Sequence, residues 1–231
     1  MPLQGILNTA RTLSFYTRKQ EVTANNIANA SSDAFKADRV LARTVPGSNA
    51  PVAVQDIDMR QGAVRDTARP LDVALEGPGF FTVNTPEGQR LTRGGSLRLD
   101  TEGRLTDEQG NPLLTAEGPV VVQGGAVEIH GDGTILVDGS NAGKLLIVDL
   151  NENGRLLKEG FGRYTAQGGV HPVDDGATHV RQGAIEDANL DSMLSMVDLV
   201  TIQRAFAANI DALKAMDSVL GAVTNEVGKV G

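Results

Sequence analysis

Three stretches of this 231-residue chain put polar residues at spacings that chemistry uses. "DLNENGRLLKEG" (Asp149 to Gly160) sets Asp149, Asn151, Asn153 and Gly154 where a helix–loop–helix calcium site has ligands and its turn glycine. The twelfth position of such a loop supplies a bidentate Glu; here it is Gly160, and a strand-like run rather than a helix precedes the loop. A Gly-bearing hairpin turn is the better account. "GSNAGKL" (Gly139 to Leu145) is one residue short of a phosphate loop and lacks Ser or Thr after Lys144. "GGSLRL" lacks the central nucleophile of a strand–turn–helix elbow. His130, His171 and His179 share no zinc-ligand spacing, and cysteine is absent. The expectation is no enzyme, no metal site and no cofactor.

Composition narrows the partners. A net charge of −8 and an aromatic content of 3%, without Trp, argue against nucleic acid. The longest purely aliphatic run, Leu145 to Val148, is far too short for membrane insertion. "MPLQGILNTARTLSFYTRKQ" lacks the apolar segment of a cleaved signal peptide. Absence of cysteine suits a chain threaded unfolded through a narrow channel.

With no catalytic set to position, the elements themselves carry the reading. Residues 3–29 contain no Pro and only Gly5. Leu3, Ile6, Ala10, Leu13, Ala24 and Ile27 step by threes and fours, interrupted by Thr17 and Gln20, which predicts one narrow apolar stripe on a helix of about 40 Å. After Asp191, a candidate N-cap, Leu199, Ile202, Phe206, Asn209, Leu213, Met216, Leu220, Val223 and Val227 form an unbroken seam with a single polar member. Between the helices lie short apolar runs split by turns: "GFFTVN" and "RLTR", "SLRLD" and "RLT", "VEIH" and "TILVDG", "KLLIVDL" and "RLL". The expected fold is therefore α+β: a central all-β domain of short strands and hairpins, with long N- and C-terminal helices pairing as a coiled coil. Expected boundaries are 1–43 for the N-terminal helix and turn, 44–70 for an extended connector, 71–180 for the β-domain and 181–231 for the C-terminal helix. Opposite charge favours the pairing, with net +3 over residues 1–45 and −4 over residues 183–231.

"TANNIANASSDAFK" poses a separate question, because Asn25, Asn26 and Asn29 are poor helix formers set among alanines. Either that end of the helix is surrounded by neighbours, or Asn29 ends the helix and the other two face water.

Several segments together resemble the axial rod and hook proteins of the bacterial flagellum. "QEVTANNIANASSDAFKADR" resembles the N-terminal signature, with its Asn-Asn-(apolar)-Ala-Asn run and Phe-Lys pair. "DMRQGAVRDTARPLDVALEGPGFFTV" is similar to the lead-in to the family's β-domain, and "LTRGGSLRLDTEGRLTDEQGNPLL" to the hairpins that follow. "VRQGAIEDANLDSMLSMVDLVTIQRAFAANIDAL" resembles the C-terminal signature, including Gln203-Arg204-Ala205-Phe206. Ala34 stands where the family usually has Gly, which weakens the expectation of a left-handed turn there. Pro78, Gly94 and Ala207 are further departures.

The resemblance implies a structural subunit of the basal-body rod, most like the proximal and next the distal rod protein. Such a subunit polymerises into a helical axle carrying torque from motor to hook. It implies self, other axial proteins and the type III export apparatus as partners, and export to the periplasm-spanning rod. The termini would form a crowded inner wall, with Leu13, Asn25, Asn26, Ile27, Asn29, Phe35, Leu199, Ile202, Gln203, Arg204, Phe206, Asn209, Leu213, Met216 and Leu220 at subunit interfaces. A hook-type subunit and a secreted trimeric fibre subunit are the alternatives.

Overall fold

The computed structural model describes residues 2–44, 51–122, 124–152 and 154–227. Two compact units form from interleaved stretches of chain: one from residues 1–30, 37–58 and 190–231, the other from 31–36 and 59–189. Class and element types follow the sequence: α+β, with many short strands between two helices.

The first unit holds α1 (Pro2–Ala28), the antiparallel hairpin β1 (Asp38–Thr44) and β2 (Pro51–Ile57), and α2 (Ser192–Val227). Helix α1 packs on α2 and on both strands of the hairpin. The segment expected as a connector thus carries β2 here, and a further strand in the second unit. Gly5 lies against the Met216 sulfur, about 3.7 Å from where a Cβ would stand. Only an antiparallel arrangement then leaves the rest of α1 a partner along α2.

The α1 stripe differs from the expected one. Ile6, Leu13, Gln20 and Ile27 are half-buried, but Ala10, Thr17 and Ala24 are exposed. The interleaved positions are Thr9, Tyr16 and Thr23, and Val22 is the most buried of the helix's described side chains. Aliphatic spacing alone chose the wrong second row because alanines satisfy an apolar pattern while having little surface to bury. On α2 the seam matches more closely: Ile202 is 3% exposed, and Leu199, Phe206, Asn209, Leu213 and Leu220 are half-buried, whereas Met216 is exposed. The side chains of Leu3, Val223 and Val227 lie outside the described residues. Asp191 caps α2 as its type predicts, accepting from the backbone N–H of Met193 at 2.9 Å and of Leu194 at 3.1 Å.

In the second unit the strands follow in order: β3 (Val64–Asp66), β4 (Val73–Glu76), β5 (Phe80–Thr85), β6 (Gly88–Thr92), β7 (Arg98–Leu99), β8 (Leu105–Thr106), β9 (Leu114–Thr115) and β10 (Gly118–Pro119). They continue as β11 (Val127–Ile129), β12 (Thr134–Val137), β13 (Ser140–Lys144), β14 (Ile147–Leu150), β15 (Arg155–Gly160), β16 (Arg163–Gln167), β17 (Val170–Pro172), β18 (His179–Gln182) and β19 (Ala184–Glu186). The largest sheet runs β15-β16-β6-β5-β14-β17, with β5 near its centre and all but one of its residues buried. Leu75, Phe81, Val83, Leu97, Leu113 and Ile135 belong to the core beside it. Burying such side chains fully contributes about 1.5–3 kcal/mol each.

The runs read as strands are strands, but one expected neighbour pair separates. β14 pairs with β5 and β17, whereas β15 pairs with β16. The turn between β14 and β15 is held by Asn151, whose side-chain amide donates to the Gly168 carbonyl at 3.0 Å and whose own carbonyl accepts from Gly154 N–H at 2.7 Å. With the contact of its Oδ1 to His171 Nδ1 at 3.1 Å, these bonds commit Asn151 to the turn; Asn153 lies outside the described residues.

Candidate functional site

In the first unit the three asparagines at the end of α1 part company. The Asn26 amide donates to the Asp38 carbonyl at 2.8 Å and its oxygen accepts from Asp38 N–H at 3.0 Å. Such a side chain mimics a strand partner: the N–H and C=O of one residue are both satisfied at the start of β1. Asn29 instead turns back on its own helix, donating to the Asn25 carbonyl at 2.8 Å, while its backbone N–H is shared between the carbonyls of Asn25 and Asn26 at 3.2 Å each. That is a helix ending, with the last carbonyls given donors. The Asn25 side chain is exposed.

Helix α2 presents an apolar row of a different kind. Met193, Leu194, Met196, Val197 and Val200 are 46–75% exposed, in the first third of the helix. Gln203 and Arg204 are exposed beyond them. Asn209 is half-buried, and its amide donates to the Ala205 carbonyl one turn back at 2.7 Å. Contiguous exposed side chains of this size on one helix mark an interaction surface.

The second unit contains a buried ionic network that joins the signature segments. Lys36 is fully buried, and its Nζ donates to Glu186 Oε1 at 2.5 Å and to the Arg60 carbonyl at 2.8 Å. Glu186 is 1% exposed; its Oε1 also accepts from Gly62 N–H at 2.9 Å and its Oε2 from Arg93 Nε at 3.1 Å. Arg93 spans onward to the Gly77 and Gly79 carbonyls at 2.9 and 2.6 Å, with its guanidinium 6.0 Å above the Phe80 ring. Buried charges persist only when paired and hydrogen-bonded on every side, as these are. Phe35 lies under Lys158, whose ammonium stands 4.4 Å from the ring centre and donates to the Lys36 carbonyl at 2.5 Å.

Ala34 keeps the left-handed turn despite its Cβ, with φ 53° and 3% exposure. Its backbone N–H donates to the Glu186 carbonyl at 2.6 Å, which fixes the conformation at a cost of about 1–2 kcal/mol. The expectation that alanine disfavours the turn is thus corrected, because tertiary hydrogen bonding outweighs the local preference. Asp33 beside it has its carboxyl pushed up, first by burial and next by Glu108.

Sequence reasoning missed a repeat that explains two of the signatures. "RQGAVRD" (Arg60 to Asp66) and "RQGAIED" (Arg181 to Asp187) are near-copies. They pair antiparallel as β3 and β19, with Val64 opposite Glu186 and Asp66 opposite Ala184. Each Gln clamps a neighbouring strand at two points. Gln61 donates to the Leu75 carbonyl at 2.7 Å and accepts from Gly77 N–H at 3.2 Å. Gln182 donates to the Val127 carbonyl at 2.8 Å and accepts from Ile129 N–H at 3.0 Å. Gly62 is obligatory because a Cβ there would stand 2.0 Å from the Asp187 carbonyl oxygen. Self-comparison of the sequence is the signal that would have found the pairing.

Among the described residues, no three His, Asp or Glu side chains are grouped to hold a metal, and no helix is long and apolar enough to cross a membrane. A β-domain locked by buried ion pairs, with a helical unit that leaves an apolar helix face open, defines a structural assembly subunit. The family models agree. "Flagellar hook protein FlgE/F/G D1 domain" matches residues 74–137, and "Flagellar basal body rod FlgEFG protein C-terminal" matches residues 181–226. The flagellar basal-body rod protein FlgF of Escherichia coli is 33% identical, covering 88% of this chain and 90% of that protein. FlgF of Caulobacter vibrioides is 29% identical over 93% of this chain and 92% of that protein, and FlgG of Bacillus subtilis 26% over 91% and 94%. The chain belongs to the flagellar basal-body rod protein family. Relatives named as rod proteins do not favour the hook alternative.

Proposed function

We propose that this chain is a structural subunit of the flagellar basal-body rod, polymerising into the helical axle that carries torque from motor to hook. The observation that carries the reading is the exposed apolar row Met193, Leu194, Met196, Val197 and Val200, which gains by leaving water in a polymer. On this reading α1 and α2 extend their packing into a coiled coil shared with neighbours, which are other copies and other axial proteins. With that row, the interface set includes Leu13, Asn25, Asn26, Ile27, Asn29, Phe35, Leu199, Ile202, Gln203, Arg204, Phe206, Asn209, Leu213, Met216 and Leu220. Delivery is by the type III export apparatus without signal cleavage. The compact connector and single β-domain favour the proximal rod over the distal rod. The helical unit, residues 1–30, 37–58 and 190–231, contributes the inner wall of the axle.

The test is complementation of a deletion strain with Leu194→Asp and Val197→Asp. Both positions are solvent-exposed in the single chain, so these variants should fold and be exported at normal abundance yet leave basal bodies without a complete rod and cells without motility. Normal swimming by either variant rejects the reading.

A further inference from the structure

The β15–β16 hairpin ends in a residue that its own turn disfavours. Gly160 pairs with Arg163, leaving Phe161 and Gly162 as a two-residue loop with φ 52° and 69°. That geometry takes Asn, Asp or Gly at its first loop position. Phe161 occupies it instead, 75% exposed, with the Arg163 guanidinium 5.5 Å over its ring. Beyond that contact with Arg163 the outward ring brings the fold nothing, and strain of this kind gathers at interaction sites. Residues 155–163 carry three basic groups and one acidic.

At the opposite edge of the same six-stranded sheet, beside β14 and β17, lies a cleft of about 430 Å³. Leu145, Ile147 and Val173 give it an apolar lining, and Asp132, Asp174 and Asp175 line it with acid. Lys144 pairs with Asp175 at 3.0 Å, so the balance of charge there stays negative. Asp132 accepts from the Thr134 N–H and hydroxyl at 3.0 and 2.8 Å; these bonds hold its carboxyl below the usual range and therefore ionised.

We propose that the Phe161 tip of one copy seats in the cleft of a neighbouring copy, with Arg163 meeting Asp174 at its acidic rim. The occupant is a second copy because knob and cleft lie on opposite edges of one sheet. A contact between unlike patches on identical chains runs head to tail, leaves one knob and one cleft free at each end, and propagates. A phenyl group brings roughly 150–250 Å² of burial, and the opposed charges select the orientation. The proposal rests on the reading of this chain as a polymer subunit.

The absence of cysteine makes the test clean. Full-length Arg163→Cys and Asp174→Cys chains, which keep the Phe161 ring and carry different tags, are mixed under mild oxidation, and both are co-expressed in a deletion strain from which basal bodies are isolated. The 163–174 cross-link should dominate over 163–163, 174–174 and a control pairing with Thr101→Cys. Phe161→Gly relieves the turn, so it should fold at least as stably as wild type while raising the concentration for self-association roughly thirtyfold. Arg163→Asp should weaken association, and Asp174→Arg should restore it. Like-with-like cross-links of equal abundance, capture of the Arg163→Cys chain by a different axial protein, or normal association by Phe161→Gly overturns the proposal. Wild-type chain present in basal bodies with no 163–174 cross-link overturns this inference alone. Wild-type chain absent from them refutes the rod reading instead.

Discussion

Replacing Glu186 with Gln removes an anion that two buried cations share. Lys36 and Arg93 then face each other's charge with a neutral amide between them, at 0% and 5% exposure. The amide oxygen can still accept from Gly62, but the amide nitrogen is a third donor aimed at donors. Breaking a buried pair from one side costs about 3–5 kcal/mol. Lys36→Met is milder: Glu186 retains Arg93 at 3.1 Å and Gly62 at 2.9 Å, and the Arg60 carbonyl retains the Asn189 amide at 2.8 Å. Its cost is about 1–3 kcal/mol, that of unmade hydrogen bonds rather than an unpaired charge. Equilibrium unfolding of the full chain in urea reads the difference. The chain has two tyrosines and no Trp, and Tyr164 is 1% exposed with its ring 5.8 Å from Phe80, so its fluorescence reports on this unit. With a urea slope of roughly 1–3 kcal/mol per molar, Glu186→Gln should lower the midpoint by about 2 M and Lys36→Met by about half as much. Equal losses, or a larger one for Lys36→Met, would refute the assignment of Glu186 as the shared counter-ion.

Other outcomes follow from the same geometry. Asn26→Ala should cost about 1–3 kcal/mol by releasing the Asp38 backbone groups, while Asn25→Ala should be neutral or slightly stabilising, both measured by thermal unfolding of the helical signal. Ile202→Ala, at 3% exposure, should destabilise the helix pair by about 2–5 kcal/mol, and more than Phe206→Ala, which is only half-buried in the single chain; the reverse order would misplace the seam. Ala34→Gly should be neutral or stabilising in the urea titration, because relief of left-handed strain offsets the lost methyl. The Asp100 carboxyl is held below its usual range chiefly by the Arg104 side chain, so its stabilising contribution is present above the unfolded pKa and is lost as pH falls through the lower folded one. Arg104→Gln should bring the Asp100 titration, followed by NMR, back toward the ordinary carboxylate value.

The chain's local patterns determined its elements and its class. Helices at both ends, short strands between glycine turns, the Asp191 cap and the α2 seam all depend on residues within a turn or two of each other, where spacing is informative. The second row of the α1 stripe was illegible because it is Thr9, Tyr16 and Thr23, polar-edged residues that no apolar count selects. Tertiary structure alone decided which strands pair, separating β14 from β15 and placing β15 beside β16. It also decided the partners of the charges. Nothing in a linear scan marks Lys36, Arg93 and Glu186 as buried, because desolvation depends on what the chain folds over them and not on their neighbours in sequence. Asn26 shows the same division: the sequence marked it as out of place in a helix, and only the folded chain supplied the Asp38 backbone, twelve residues away, that makes its amide useful.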